Sequence, residues 1–184
     1  MYVIIYDFGT GSVKTCLFEI DAGIRLAASA TDEYGIYFSA DGGAEQDTEE
    51  WWAALRRTTR ELFKKSDIKP KEVEGLAFCS QMQGTVLVDK DGNALRRPMN
   101  YLDQKGVKEY RDCMGTGLIK VSGCSLYKLA RNLIVNYAGS VSAKDPVWKY
   151  KWVESNEPEI YRKIYKWLDV GDYLVARATG KIVY

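Results

Sequence analysis

The segment that most limits what this chain can fold into is the N-terminal stretch 2–20, which predicts two strands joined by a glycine-rich turn. Residues 2–6 are apolar or aromatic and rich in β-branched side chains, a pattern typical of a strand buried on both faces. The segment 7–12, Asp-Phe-Gly-Thr-Gly-Ser, then places two glycines and two hydroxyl side chains in a tight turn. Residues 13–20 predict the second strand of the hairpin.

The turn has the composition of a phosphate-binding loop. Its glycines let backbone N–H groups approach an anion closely, its hydroxyls add donors, and a lysine adds positive charge. The aspartate before the turn could hold Mg²⁺ through water. A plain hairpin turn is the alternative. The residues of this predicted phosphate site are Asp7, Gly9, Thr10, Gly11, Ser12 and Lys14.

Two familiar phosphate motifs do not match the turn. The string 9–14 begins like the dinucleotide-binding fingerprint, but Lys14 replaces the third glycine and a strand, not a helix, is expected to follow. The Walker A loop is excluded because no glycine precedes a Lys-Ser or Lys-Thr pair. The turn therefore predicts a phosphate site of another class.

The composition of the chain limits its possible partners and the side chains available for catalysis. The net charge of +1 over 184 residues gives no reason to expect nucleic acid or a membrane surface as a partner. No apolar stretch approaches the ~20 residues of a membrane span. Four cysteines without Cys-x-x-Cys spacing predict reduced, buried thiols and a cytoplasmic location. The chain has no histidine, so its chemistry must use carboxylates, amides, hydroxyls, lysines and bound metal.

The expected fold class is α/β, with a mixed sheet whose first three strands are antiparallel. A third strand is expected over 25–32. A buried strand is expected over 73–79, parallel to the first, followed by another over 85–89. The expected sheet thus has five strands with flanking helices, and the loop after residue 79 lies where such sheets bind ligands.

Helices are expected over 48–65, over 146–154 and from residue 170 to 179. The pattern has breaks at 115–117 and 139–140, and residues 182–184 begin a strand or loop. The segment 144–151 is basic and aromatic, which could suggest a nucleic-acid surface. Because the net charge is close to zero, a solvated helix face is the better interpretation.

In this order the motifs resemble the N-terminal domain of the FGGY carbohydrate kinases, and in particular its xylulokinase-like branch. The resemblance spans nearly the whole chain and implies the actin-like, ribonuclease H-like ATPase fold, in which two domains clamp ATP and a sugar. The matching segments are Asp7 to Lys14, Glu45-Gln-Asp47 ahead of Trp51-Trp52, Gln81-Met-Gln-Gly84, Val88 to Gly92, Leu102-Asp103, Trp152 to Pro158, and Asp172-Tyr-Leu174 with Thr179-Gly180.

On the phosphate side, the resemblance implies ATP and Mg²⁺ as cofactors. Asp7 would be the magnesium-associated carboxylate. Residues 10–12 and Lys14 would contact or approach the β- and γ-phosphates, with the lysine stabilising charge.

On the sugar side, the resemblance implies a pocket for a small sugar or polyol. Gln83 stands where xylulokinases usually have His, which leaves ribulose, fuculose or erythritol open beside xylulose. The carboxylate of Asp103 would hydrogen-bond sugar hydroxyls, and Tyr101 stands where the family usually has Trp. The implied substrate residues are Gln81, Met82, Gln83, Tyr101 and Asp103. For Glu45-Gln46, an exposed acidic patch is favoured over a sugar contact.

The implied activity is phosphoryl transfer from ATP to a primary hydroxyl. In this family the general-base aspartate and the adenosine site lie beyond residue 184. We therefore expect 1–184 to be the N-terminal domain of a longer two-domain kinase, with no catalytic residue of its own and inactive alone. The alternative is a free-standing, non-catalytic sugar- or nucleotide-binding module; another actin-like ATPase ranks third. A homodimer is left open.

Overall fold

The computed structural model describes residues 1–137 and 142–182, so the expected break at 139–140 and most of the expected segment 182–184 lie outside the described residues. In chain order the strands and helices are β1 (Tyr2–Phe8), β2 (Ser12–Ile20), β3 (Ile24–Glu33), β4 (Tyr37–Phe38), β5 (Ala44–Glu45), α1 (Thr48–Lys65), β6 (Val73–Ser80), β7 (Val86–Val88), α2 (Val107–Met114), β8 (Lys120–Val121), β9 (Cys124–Ser125), α3 (Leu126–Asn136), α4 (Pro146–Asn156), α5 (Pro158–Tyr161), β10 (Lys166–Leu168) and α6 (Val170–Thr179).

The central sheet is mixed, with the strand order β3-β2-β1-β6. The first three strands are antiparallel and β6 runs parallel to β1, which confirms both sequence predictions. The sheet has four strands in the described part of the chain rather than the expected five, because β7 pairs with β10 instead. The backbone of Gln83 takes a positive φ of 61°, which turns the chain out of the sheet before β7 begins.

Helix α1 covers one face of this sheet. Asp47 caps its N-terminus by accepting a hydrogen bond from the Glu49 N–H at 2.8 Å. The side chains of Trp51 and Leu62 are fully buried in the same cluster as the alternate β1 residues. A hydrogen bond of 2.7 Å between the hydroxyls of Thr15 and Thr58 ties the helix to β2. The packing of α1 against this face of the sheet holds the hairpin β1–β2 in place.

Three burial predictions are wrong: those for the strand 2–6, for the strand 73–79 and for the cysteines. Only the α1-facing side of β1 is buried, since Ile5 on the other face is half-buried and Asp7 is exposed. Strand β6 lies at the end of the sheet, so Leu76 is 54% exposed and Cys79 is exposed rather than buried. Of the four cysteines, all free thiols, only Cys124 is buried.

The two-residue strands of the pairs β4–β5 and β8–β9 were not predicted, because so short a pairing leaves no alternating pattern. Across residues 1–137 and 142–182, no helix has both the length and the apolar character that crossing a membrane requires.

Candidate functional site

The turn 9–12 and the loop 81–84 leave the sheet side by side. They follow the carboxyl ends of the parallel strands β1 and β6, which are in register with Phe8 opposite Ser80. The N–H of Gln81 continues this pairing by donating to the Phe8 carbonyl at 2.7 Å. In open α/β sheets, ligands bind at such adjacent strand ends. The expected phosphate and sugar segments are therefore neighbours.

The backbone of the turn is oriented by its carbonyl groups. All four carbonyls of residues 9–12 accept hydrogen bonds from the protein: Gly9 and Ser12 from the Tyr34 hydroxyl (2.6 and 2.9 Å), Gly11 from the Tyr34 N–H (3.0 Å) and Thr10 from Gln46 Nε2 (2.6 Å). The described peptides are all trans, and a trans peptide points its C=O and N–H in opposite directions. The N–H groups of residues 10–12 therefore point away from these partners, as an anion site requires.

Tyr34 is the main support of this turn, and no sequence motif identified it. Its ring is buried beneath the hairpin and stacks 6.2 Å from the Phe8 ring. Burial, and to a lesser degree the nearby Asp7 carboxylate, raises the pKa of the Tyr34 hydroxyl. The hydroxyl therefore keeps its proton at physiological pH and stays a donor to the turn carbonyls.

Asp7 and Lys14 lie directly opposite each other on the exposed face of the hairpin. No group of three or more His, Cys, Asp or Glu side chains that could hold a metal occurs among the residues described. Magnesium, however, keeps most of its waters and is commonly held by one or two carboxylates plus substrate phosphates. The single carboxylate of Asp7 beside the turn fits that mode of binding.

A buried amide joins the turn to the loop. Gln46 has 0% exposure, so the expectation of an exposed patch is wrong at this position. Its Nε2 donates to the Thr10 carbonyl at 2.6 Å, and its Oε1 accepts from Gln81 Nε2 at 2.6 Å. The Thr10 backbone of the turn and the Gln81 side chain of the loop are thus linked through the side chain of Gln46.

The loop 81–84 combines an exposed tip with a tightly held base. Met82 is 77% exposed, while Gln83 Nε2 donates to Asp145 Oδ1 at 3.3 Å. The Gly84 N–H donates to Asp169 Oδ1 at 3.1 Å, and a Cβ at Gly84 would lie 2.5 Å from Val170 Cγ2. Glycine is needed here for the close approach to the start of α6.

The structure places Asp103 differently from the expectation of a pocket-facing carboxylate. Its side chain has no exposed surface, its Oδ2 accepts from the Ala44 N–H at 2.9 Å and its Oδ1 from the Lys105 N–H at 3.0 Å. Burial raises the pKa of Asp103, and these hydrogen bonds oppose the rise. In this arrangement Asp103 shapes the loop 100–105. Of the two predicted substrate residues in that loop, the half-buried Tyr101 is more accessible than Asp103.

A network of charged side chains holds the loop 100–105 and includes Glu45, for which an exposed acidic patch was expected. Glu45 forms ion pairs with both Arg96 and Lys105, so the patch is not freely exposed. Arg96 also pairs with Glu157 at 3.0 Å, and the Lys105 ammonium lies 4.6 Å from the centre of the Trp152 ring. The network anchors the loop 100–105 to α4 and α5.

Lys149 is a site residue that the sequence analysis missed. The expectation of a solvated helix face over 144–151 is wrong here, because Lys149 has 0% exposure. Its ammonium donates to the Gln83 carbonyl at 2.8 Å and to the Asn100 carbonyl at 2.6 Å. Burial lowers the pKa of Lys149 to about 8, although the carboxylate of Asp103 acts in the opposite direction.

The comparisons with known proteins agree on one family. The model of the FGGY family of carbohydrate kinases, N-terminal domain, matches residues 2–184. Xylulose kinase of Bacillus subtilis is 28% identical over 181 residues, which cover 98% of this chain and 34% of that protein. Xylulose kinase of Escherichia coli is 29% identical over 98% of this chain and 34% of its own length. The chain thus spans about a third of the length of these curated relatives.

The fold is shared with solved sugar kinases. A crystal structure of a "xyloylose kinase" from Brucella ovis superposes with a TM-score of 0.81 at 22% identity, covering 96% of this chain and 34% of that one. Xylulose kinase from Rhodospirillum rubrum gives a TM-score of 0.79 at 23% identity, covering 100% and 35%.

Proposed function

Since the chain belongs to the FGGY family of carbohydrate kinases and has the actin-like fold of sugar kinases, we propose that it is the sugar- and phosphate-binding part of an ATP-dependent kinase. The reaction is transfer of the terminal phosphoryl group of ATP to a hydroxyl of a sugar or polyol. The observation that carries the proposal is the meeting of the turn 9–12 and the loop 81–84 at adjacent strand ends, joined by Gln46.

On the phosphate side, the outward N–H groups of residues 10–12 bind phosphate oxygens, and the hydroxyls of Thr10 and Ser12 add donors. Lys14 stabilises the charge that develops during transfer. Asp7 would hold Mg²⁺ through its waters, and the ion would neutralise phosphate charge there. Because the donors are fixed by Tyr34 and Gln46 before ATP arrives, little reorganisation accompanies the reaction.

On the sugar side, Gln81, Met82, Gln83 and Tyr101 line the acceptor site. The amides of Gln81 and Gln83 are each held at one end, to Gln46 and Asp145, which orients them before the sugar binds. Asp103 supports the loop that carries Tyr101. Both of its carboxylate oxygens accept from backbone N–H groups, so Asp103 affects sugar binding through the position of this loop and not by direct contact. The names of the relatives make D-xylulose the first sugar to test.

We also propose that a second domain completes the active site. In this proposal the general base that deprotonates the sugar hydroxyl and the adenosine site lie outside 1–184, and 1–184 alone is inactive. The chain's one-third share of its relatives' length supports this division. Domain closure would expel water, which otherwise accepts the phosphoryl group. The free thiols suit a reducing, cytoplasmic location.

The test is a sugar-dependent kinase assay on the product of the complete reading frame. The purified protein is incubated with Mg-ATP and, separately, D-xylulose, L-xylulose, D-ribulose, erythritol or glycerol, while ADP release and sugar-phosphate mass are measured. We expect at least one sugar to be phosphorylated, and residues 1–184 alone to be inactive. Lys14→Met should lower kcat at least tenfold, whereas Lys64→Met at an exposed position of α1 should not.

A folded protein that binds panel sugars without phosphorylating any of them would instead be a non-catalytic binding module. A folded protein that neither binds nor phosphorylates any panel sugar would refute the proposed function.

A further inference from the structure

Lys149 lies between the two loops that carry the proposed sugar residues. Its Nζ reaches the Gln83 carbonyl (2.8 Å) in one loop and the Asn100 carbonyl (2.6 Å) in the other. The side chain is fully buried, on the first turns of α4. Burial of an ammonium group is unfavourable because the group loses its hydration. The charged side chain is therefore stable here only because the two carbonyls accept its hydrogen bonds.

The two carbonyls lie where backbone pairing between the loops stops. Thr85 and Met99 form an antiparallel bridge, with the Thr85 N–H donating to the Met99 carbonyl at 2.9 Å. Asn100 is one residue past Met99 of the bridge, and its carbonyl accepts from the Lys149 ammonium. Gln83 is two residues before Thr85 of the bridge, and its carbonyl accepts from the same ammonium. Lys149 therefore extends the connection between the loops past the last backbone bond.

The Gln83 end of this connection needs an external partner. Its φ of 61° is a left-handed conformation that is unfavourable for a residue with a side chain. The hydrogen bond from Lys149 fixes the Gln83 carbonyl, and the Asp145 carboxylate accepts a hydrogen bond from the side-chain amide of Gln83. Without the ammonium, the peptide after Gln83 would keep only the bond from the Gly84 N–H to Asp169 Oδ1, and its rotation toward a more favourable conformation would meet less resistance and would move the loop.

We propose that Lys149 is a positioning residue of the sugar site, which sets the loop 81–84 against the loop 100–103 without contacting the sugar. This role rests on the proposed kinase function. It also requires the charged form of the side chain, because a hydrogen bond from an ammonium to a carbonyl is stronger than one from a neutral amine. Sugar affinity should then follow the protonation of Lys149, while nucleotide affinity should not.

The burial of Lys149 places its protonation in an accessible pH range. Burial lowers the pKa of Lys149 to about 8. The charged groups that face it are Asp103, Asp145, Asp169 and Lys144. Burial raises the pKa values of Asp103 and Asp169, which displaces the titration of these carboxyls toward neutral pH. Between pH 7 and 9.5, a change seen in the wild-type protein and absent from Lys149→Arg therefore reports the loss of the Lys149 proton.

The experiment compares sugar binding and ATP use in matched lysine variants of the complete protein. Calorimetric titration with D-xylulose, or with the panel sugar that the wild-type protein phosphorylates, gives the sugar Kd; kinetics give the KM for ATP. We expect Lys149→Met to raise the sugar Kd at least tenfold and to leave the KM for ATP within twofold. Lys149→Arg should restore most of the affinity, and Lys151→Met, an exposed position on α4, should change neither value.

A pH series on the wild-type protein supplies a test that no folding defect can obscure. We expect its sugar Kd to rise severalfold from pH 7 to 9.5, while Lys149→Arg, which keeps its charge, stays flat. An unchanged sugar Kd in Lys149→Met, or a flat wild-type series, would overturn the positioning role and leave the kinase proposal standing. A wild-type protein without affinity for any panel sugar would overturn both.

Discussion

Replacing Gln46 by Glu tests whether the turn 9–12 and the loop 81–84, the proposed phosphate and sugar segments, act as one unit. The substitution keeps the size of the side chain but replaces the NH₂ group by an oxygen. The introduced carboxylate could still accept the bond from Gln81 Nε2, now 2.6 Å long, but in its ionised form it could not donate to the Thr10 carbonyl. The change would place a carboxylate oxygen of the new side chain against the Thr10 carbonyl oxygen, in a fully buried position.

The expected cost follows from these contacts. An unmade buried hydrogen bond costs about 1–3 kcal/mol. Burial of the new carboxylate adds a desolvation cost that protonation relieves, since the protonated acid can donate to the Thr10 carbonyl again. Its folded-state pKa should therefore exceed its unfolded value, and stability should fall as the pH rises between the two. We expect the free energy of unfolding to drop by about 2–3 kcal/mol at pH 8 and by less at pH 5.

The assay is urea unfolding at pH 5 and pH 8, with Gln104→Glu as the matched control. Gln104 is exposed, so the same chemical change there should stay within about 0.5 kcal/mol. The buried negative charge should also weaken ATP binding more than sugar binding, because it lies directly below the turn. If Gln46→Glu is no more destabilising than Gln104→Glu at pH 8, the proposed link between turn and loop is wrong.

Three further substitutions probe the two sides of the site. Asp7→Asn should abolish turnover with near-normal sugar affinity, and an equal loss of sugar affinity in calorimetry would contradict the magnesium role. Asp103→Ala should raise the KM for the sugar at least severalfold, because a buried loop contact is lost; an effect on ATP alone would reverse the assignment. Gly84→Ala should lower the free energy of unfolding by about 1–3 kcal/mol through overpacking, since its Cβ would meet Val170 at 2.5 Å. Gly23→Ala, where a Cβ meets nothing within 4 Å, is its control, and equal losses in urea unfolding would refute the packing argument.

Local chemistry predicted much of the fold from sequence. The helix capped by Asp47, the hairpin β1–β2 and the final helix ending at Gly180 follow from side-chain periodicity and capping residues within a few positions. The parallel pairing of β6 with β1 follows from the crossover helix between them. These elements also place the turn and the loop at one edge of the sheet.

The remaining features depend on contacts between distant parts of the chain. Nothing near Tyr34 or Gln46 in sequence indicates that their side chains hold the carbonyls of residues 9–12. The segment around Lys149 has the composition of a solvated helix, and only the approach of two loops buries it. Asp103 matched a family motif, yet its burial behind Ala44 could be seen only in the folded arrangement.

The most direct test of the central claim is an amide NMR titration of the complete, ¹⁵N-labelled protein. A non-hydrolysable ATP analogue with Mg²⁺ is added to one sample and the phosphorylated panel sugar to another. We expect the nucleotide to shift the N–H signals of residues 10–12 and the sugar to shift those of residues 81–84. Signals of residues 10–12 that stay unchanged at saturating nucleotide would contradict the assignment of the turn as the phosphate site.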